Sequence, residues 1–170
     1  MSFWNSLPQP IVGLAPMDGV TDAAFRLITA RHGRPDVLFT EFAAVERIVR
    51  GHDSDLVDLW YSEIERPVVA QVFGVNPESF YRVAHVVCEL GFDGLDINMG
   101  CPAKNIALKG AGAGLIRTPE LALNILRRTR EGIRDWAAGQ RVEGLGLPAS
   151  AVEAVRRRLR DTRQGNRDHG

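Results

Sequence analysis

The sequence predicts an α/β fold: a parallel (β/α) barrel of TIM type, of which about the first four βα units are present. Three observations carry this. Short apolar runs alternate with segments of helical period four times in succession, at "IVGLAPM" (11–17), "DVLFTEF" (36–42), "RPVVAQVFG" (66–74) and "GLDINMG" (94–100). Such alternation implies parallel strands with helices packed outside them. The runs are apolar along their length, as strands buried on both faces are. Finally, Pro16-Met17-Asp18, Thr40-Glu41, Gln71 and Asn98 to Cys101 all fall at strand C-terminal ends, the face where a barrel gathers its chemistry. A doubly wound sheet also fits the alternation, but no strand–GxGxxG–helix signature stands at the first βα turn, which weakens it.

Taken in order, the first strand is ended by the turn-prone "DGVTD". A helix is expected from about Thr21 to His32, with Ala24, Phe25, Leu27 and Ile28 as its apolar side. Helical material is expected after the second strand, from Ala43 to about Trp60, interrupted near "GHDSD". The third strand leads into Asn76 and Pro77, an N-cap and a first-turn proline. Phe80, Val83, Ala84 and Val87 then follow at helical spacing, and Gly91 suits the C-cap. Beyond the fourth strand, "KGAGAGL" (109–115) precedes a helix opened by Thr118-Pro119, with Ala122, Leu126, Ile133 and Trp136 as its stripe. The glycine run lacks the GK[ST] ending of a phosphate loop. Its glycines are expected to permit close backbone approach and positive φ at the barrel mouth. Residues 1–140 read as the N-terminal half of a barrel, and 141–170 as a short helix with a basic polar tail.

Composition narrows the function classes. The chain has 170 residues, 45% apolar and 25% charged, with zero formal net charge. It has room for one domain with a core and no overall charge drawing it to nucleic acid or membrane. From Arg127 to Gly170, eleven Arg stand against six Asp or Glu. The basic stretch "RRRLRDTR" (156–163) offers itself to RNA phosphates, although a solvated helix face explains it as simply. No apolar run approaches the ~20 residues needed to span a bilayer, and "MSFWNSLPQP" lacks a signal-peptide pattern. The expectation is a cytoplasmic protein without membrane contact. Two cysteines form no disulfide framework, nothing has CxxC spacing, and no metal site is expected.

The cysteines differ. Cys88 lies beside Val87 on the third helix and reads as a small buried hydrophobe. Cys101 lies between Gly100 and Pro102, immediately after a strand that Pro102 prevents from continuing. A free thiol titrates near pH ~8.5, so at neutral pH it holds its proton and can donate it. No histidine lies within ten residues to activate it as a nucleophile. Gln71 is also conspicuous, because an amide within "VVA–VFG" is costly to bury without a partner.

"LAPMDGVTDAAFR", "QVFG", "GFDGLDINMGCPAK" and "GAGAGLIRTPELA", in this order, resemble the tRNA-dihydrouridine synthases, flavin enzymes on a barrel fold. The likeness runs from about residue 11 to residue 135. It implies that NADPH reduces FMN, that FMN delivers hydride to C6 of a tRNA uracil, and that a cysteine protonates C5. Cys101 matches that proton donor. Pro16, Met17 and Asp18 match a segment lying along the flavin ring, and Gln71 matches a glutamine that hydrogen-bonds the flavin. Asn98 matches the asparagine of the cysteine motif, expected to hold the uracil or the cysteine loop. Lys104 resembles a lysine near RNA phosphate, and Glu41 is a weaker candidate of the same mouth.

The resemblance stops short of the whole family. A complete barrel needs ~250 residues. The family's fifth-strand flavin-binding lysine, its later phosphate-binding loops and its C-terminal tRNA-gripping domain have no counterpart after residue 140. The expected partners are tRNA and something that covers the open barrel edge, either self-association or a missing C-terminal half. Two other functions are compatible with the residues: a non-catalytic, truncated or RNA-associated fragment, and another flavin barrel acting on a free pyrimidine.

Overall fold

The computed structural model describes residues 3–51 and 56–165. Five strands form one sheet: β1 (Gly13–Leu14), β2 (Val37–Phe39), β3 (Ala43–Ala44), β4 (Val68–Phe73) and β5 (Gly94–Ile97). Every pairing is parallel. β2 pairs with the first half of β4 (Leu38 with Val68, Phe39 with Val69), and β3 with its last two residues (Ala43 with Val72, Ala44 with Phe73). β2 and β3 are therefore one strand interrupted at residues 40–42. At the interruption the backbone of Gln71 donates to Thr40 Oγ1 (3.0 Å), so a hydroxyl stands in for a ladder carbonyl. β5 takes the other edge of β4, from Val69–Gly94 to Val72–Ile97. Spatial order thus follows chain order across the sheet, as in a barrel wall; a doubly wound sheet would reverse direction midway.

The helices are α1 (Ala23–His32), α2 (Val45–Ile48), α3 (Pro77–Glu89), α4 (Lys104–Ala107), α5 (Pro119–Ala137) and α6 (Ala149–Gly165). Asp22 caps α1 by accepting from the Phe25 backbone (2.8 Å), and Asn76 caps α3 in the same way with Pro77 in the first turn. Gly91 follows α3 in the left-handed region (φ +81°), where a glycine is least strained. The four expected strands and the third helix therefore stand where the sequence puts them.

Three helical expectations change. Residues 43–60 do not form one interrupted helix: Ala43 and Ala44 extend the strand, α2 is a single turn, and Val57–Leu59 is an isolated 3-10 turn. Edge pairing with β4 outweighs helix propensity there, and the "HDSD" segment, residues 52–55, lies outside the described residues. On α5 the buried positions are Ile125, Thr129 and Gly132, whereas Leu126 and Ile133 are 49% and 40% exposed. Gly132 selects this seam, because a Cβ there would come within 2.4 Å of the Tyr81 carbonyl oxygen on α3. On α1, Arg26 and Ala30 are buried while Phe25 and Ile28 face solvent.

The core lies between the sheet and the outer helices. Ala70 and Val72 of β4 share one apolar cluster with Phe80, Val83 and Val87 of α3, Ile125 of α5, and Ala154 and Val155 of α6. α6 thus belongs to the same core as the strands. Arg158 ties it down, donating to the Tyr61 carbonyl (3.1 Å) with its guanidinium 4.2 Å from the Trp60 ring. Nearby, Arg26 and Glu65, each 1% exposed, form a buried ion pair (2.8 Å). Arg26 also donates to the carbonyls of Thr21 and Trp60, so its donors are matched where water is excluded.

Candidate functional site

Alternation along the strands decides which side chains leave the core. Ala70 and Val72 point to the helices, so Gln71 points to the sheet's other face. Leu95, Ile97 and Met99 pack on the helical side, so Asp96 and Asn98 join Gln71. The β4–β5 register then sets Gln71 opposite Asp96.

These three side chains form a connected chain of hydrogen bonds. Gln71 Nε2 donates to Asp96 Oδ2 (2.7 Å), and Asn98 Nδ2 donates to Gln71 Oε1 (3.1 Å). Asn98 Oδ1 in turn accepts from the backbone N–H groups of Gly100 (3.2 Å) and Cys101 (2.9 Å). Gln71 is only 6% exposed, and this chain answers the cost of burying its amide. It also fixes the turn on which Cys101 sits. Asp96 was not singled out from the sequence. Its one sequence signal is an acid in an apolar run, two residues before Asn98 and so on the same face.

The glycine run completes the loop. The Ala113 backbone donates to the Cys101 carbonyl (3.0 Å). Gly112 has φ +55°, and a Cβ on it would lie 2.8 Å from that carbonyl oxygen. The expected positive φ and close approach are both present. Cys101 is half-buried and lines a cavity of about 600 Å³ shared with Asp18, Phe42, Phe73, Arg47 and Lys109. Arg47 and Lys109 were also missed from sequence, since a lone basic residue in a helix or loop carries no positional signal.

The remaining predicted residues surround this mouth unevenly. Met17 is 42% exposed; its backbone N–H donates to Thr21 Oγ1 (2.9 Å), and its carbonyl accepts from Val20 (3.0 Å) and Thr21 (2.9 Å). Pro16 precedes it, half-buried, and Asp18 reaches the cavity. The Glu41 carboxylate accepts from the Gly19 backbone, tying the first strand's loop to the second strand's end. Lys104 opens α4 and is exposed, while its neighbours Ala103 and Asn105 line the cavity and it does not. Cys88 lies apart on α3, its thiol pushed up to about 11 by burial first and by the adjacent Glu89 charge second. Among the described residues no cluster of His, Cys, Asp and Glu is placed to hold a metal, and no helix is long and apolar enough to cross a membrane.

Comparison with known proteins joins this geometry to a family. Residues 13–135 match the family model described as "Dihydrouridine synthase (Dus)", the span that holds every strand, the Gln71–Asp96–Asn98 chain and the Cys101 loop. The chain is 45% identical over 133 residues to "Probable tRNA-dihydrouridine synthase 2" of Bacillus subtilis, covering 77% of this chain and 41% of the relative. It is 44% identical to "Probable tRNA-dihydrouridine synthase" of Staphylococcus aureus strain COL (77% and 40% covered), and 43% identical to the protein of the same name from Staphylococcus epidermidis strain RP62A (77% and 41%). The chain thus spans about two fifths of the length of these curated relatives. On its sheet order, its cysteine loop and these matches, the chain belongs to the dihydrouridine synthase family.

Proposed function

We propose that this chain carries the flavin-facing and proton-donating part of a tRNA-dihydrouridine synthase. The observation that supports it most is the hydrogen-bonded path from Gln71 through Asn98 to the Cys101 turn. It couples the amide assigned to the cofactor with the thiol assigned to the substrate.

The residues present suit an FMN ring. Beyond its bonds to Asp96 and Asn98, Gln71 keeps one amide hydrogen and one lone pair, a pattern suited to a ring edge that both donates and accepts. Pro16, Met17 and Asp18, after β1, are assigned to the face of the ring. FMN, reduced by NADPH, would supply the hydride that reaches C6 of the uracil. Cys101 gives its S–H proton to C5, which balances the addition across the C5=C6 bond. Asn98 keeps the thiol at the mouth by holding the N–H of Cys101 itself, and Asp96 orients Gln71. Lys104, exposed at the start of α4, is assigned to an RNA phosphate. tRNA is the partner, and its modification is cytoplasmic work. Among the described residues the outer edges of β1 and β5 are unpaired, and self-association or a further C-terminal half is assigned to cover them.

Titration of the 170-residue chain with FMN, followed by flavin fluorescence, tests the reading. Saturable binding at micromolar concentration or below is expected, with Cys101→Ala retaining it but losing dihydrouridine formation on tRNA by at least ~10²-fold, the lower range of general-acid catalysis. Absence of saturable binding overturns the reading for this chain. The partial coverage of the relatives favours one second reading, an RNA-associated fragment without catalysis. That fragment would bind tRNA equally with and without Cys101 and form no dihydrouridine. Conversion of free uracil without tRNA would instead indicate a free-pyrimidine enzyme.

A further inference from the structure

Several surface arginines are paired with acids, as Arg66 is with Glu63 and Asp93 and Arg156 with Glu143. Two cations that line the Cys101 cavity are not. Among the described residues, neither the terminal nitrogens of Arg50 nor the ammonium of Lys109 meets a carboxylate. We propose that Arg50 and Lys109 bind the RNA phosphate beside the nucleoside whose base enters this cavity. The inference rests on the reading that Cys101 protonates a uracil in RNA, and it names where that nucleotide's backbone is held.

The fold keeps these cations available. Glu46, one turn before Arg50, is the nearest acid in sequence, and its carboxylate is spent elsewhere. Its Oε1 accepts from the backbone N–H groups of Val75 (2.9 Å) and Asn76 (3.1 Å) beyond β4. Gly74 makes room for this, since a Cβ there would lie 2.7 Å from both carboxylate oxygens. Arg50 instead donates from Nε to the Glu46 backbone carbonyl (3.0 Å). That bond orients the guanidinium and leaves its two terminal amino groups to donate as a fork, the geometry that suits a phosphate. Lys109 comes to the same cavity from the loop after α4 and adds a point charge. Arg47 on α2 lines it as well.

The rest of the cavity suits a nucleoside. Its volume of about 600 Å³ falls in the ~300–1,000 Å³ range of small-ligand sites. Phe42 and Phe73, ring centroids 4.9 Å apart and edge to face, give it an apolar wall. Cys101 lines the same space, so the nucleoside there is the one to be protonated, and the phosphate it bears is an RNA phosphodiester. Lys104 does not line the cavity, which makes this a contact separate from the one assigned to it.

Fluorescence anisotropy with a labelled, unmodified tRNA transcript, from about 50 to about 200 mM salt, gives the test. Each phosphate contact contributes about 0.7–0.9 to the slope of log K against log salt. Arg50→Gln and Lys109→Gln should each flatten the slope by about that amount, and the double variant by about twice as much. Arg50→Lys should keep the wild-type slope, because charge sets it. Both side chains are exposed, so all variants should keep the wild-type circular dichroism. Saturating tRNA should also slow the alkylation of Cys101 by iodoacetamide in the wild type. Unchanged slopes in the Gln variants, a slope lost equally in Arg50→Lys, or Cys101 alkylation indifferent to tRNA would each overturn the proposal. So would protection of Cys101 by NADPH alone that depends on Arg50 and Lys109, which would give the site to the reductant. The flavin reading fails on the FMN titration and this site on the salt slope, so the two failures are distinguishable.

Discussion

The two faces of β4 differ in kind. Towards the helices, Ala70 and Val72 have no solvent exposure and belong to the apolar cluster of the core. Towards the barrel interior, Gln71 is almost as buried but is held by directed bonds to Asp96 and Asn98. One face is non-directional and tolerates any shape that fills it. The other works only if each donor finds its acceptor. Substitutions on the first should therefore register as stability, and on the second as the position of the Cys101 turn.

The largest expected effect breaks the apolar face. Phe80, fully buried on α3, should cost ~3–5 kcal/mol when replaced by Ala. The midpoint of urea unfolding would fall while the slope is kept; a loss below ~1 kcal/mol would mean that α3 does not anchor the wall. A smaller effect is expected on the polar face. Gln71→Leu leaves the Asp96 carboxylate and the Asn98 amide without their partner, at ~1–3 kcal/mol. The diagnostic readout is the Gly100 and Cys101 amide protons, whose hydrogen exchange should quicken as the turn loosens; unchanged exchange would detach Gln71 from the cysteine loop.

The smallest effect compares the two thiols. With its thiol pushed up to about 11, Cys88 is expected to be alkylated at pH 8 far more slowly than Cys101, its thiolate fraction being on the order of 10⁻³. Its rate should rise about tenfold per pH unit until the pH nears that value. Because burial favours the neutral thiol, Cys88 also supports the fold below the ordinary thiol range near ~8.5. That support is lost as pH rises from there through about 11. Equal labelling of both cysteines at pH 8, read by peptide mass spectrometry, would contradict the contrast.

Much of this was legible in the chain. The four strand runs, the Asn76-Pro77 opening of α3 and the glycine-assisted turn at Cys101 are local patterns that short-range sterics and capping enforce. The burial of Arg26 over Phe25 was not legible, because helical period alone does not say which face meets the wall. Nor was the seam of α5. Leu126 and Ile133 look more like core than Thr129 and Gly132, yet the close pass of the Tyr81 carbonyl admits only the glycine.

By itself the sequence determined the succession of βα units and the turn chemistry at strand ends. Those depend on φ/ψ preferences, capping groups and apolar runs that act over a few residues. Tertiary structure alone decided that Asp96 would meet Gln71, that Thr40 would bridge a broken strand, that Arg158 would lock α6 to the core, and that α1 and α5 would show apolar faces at opposite ends of the wall. Each of these depends on register between segments distant in the chain, and register follows from the packing of the whole rather than from any one stretch of it.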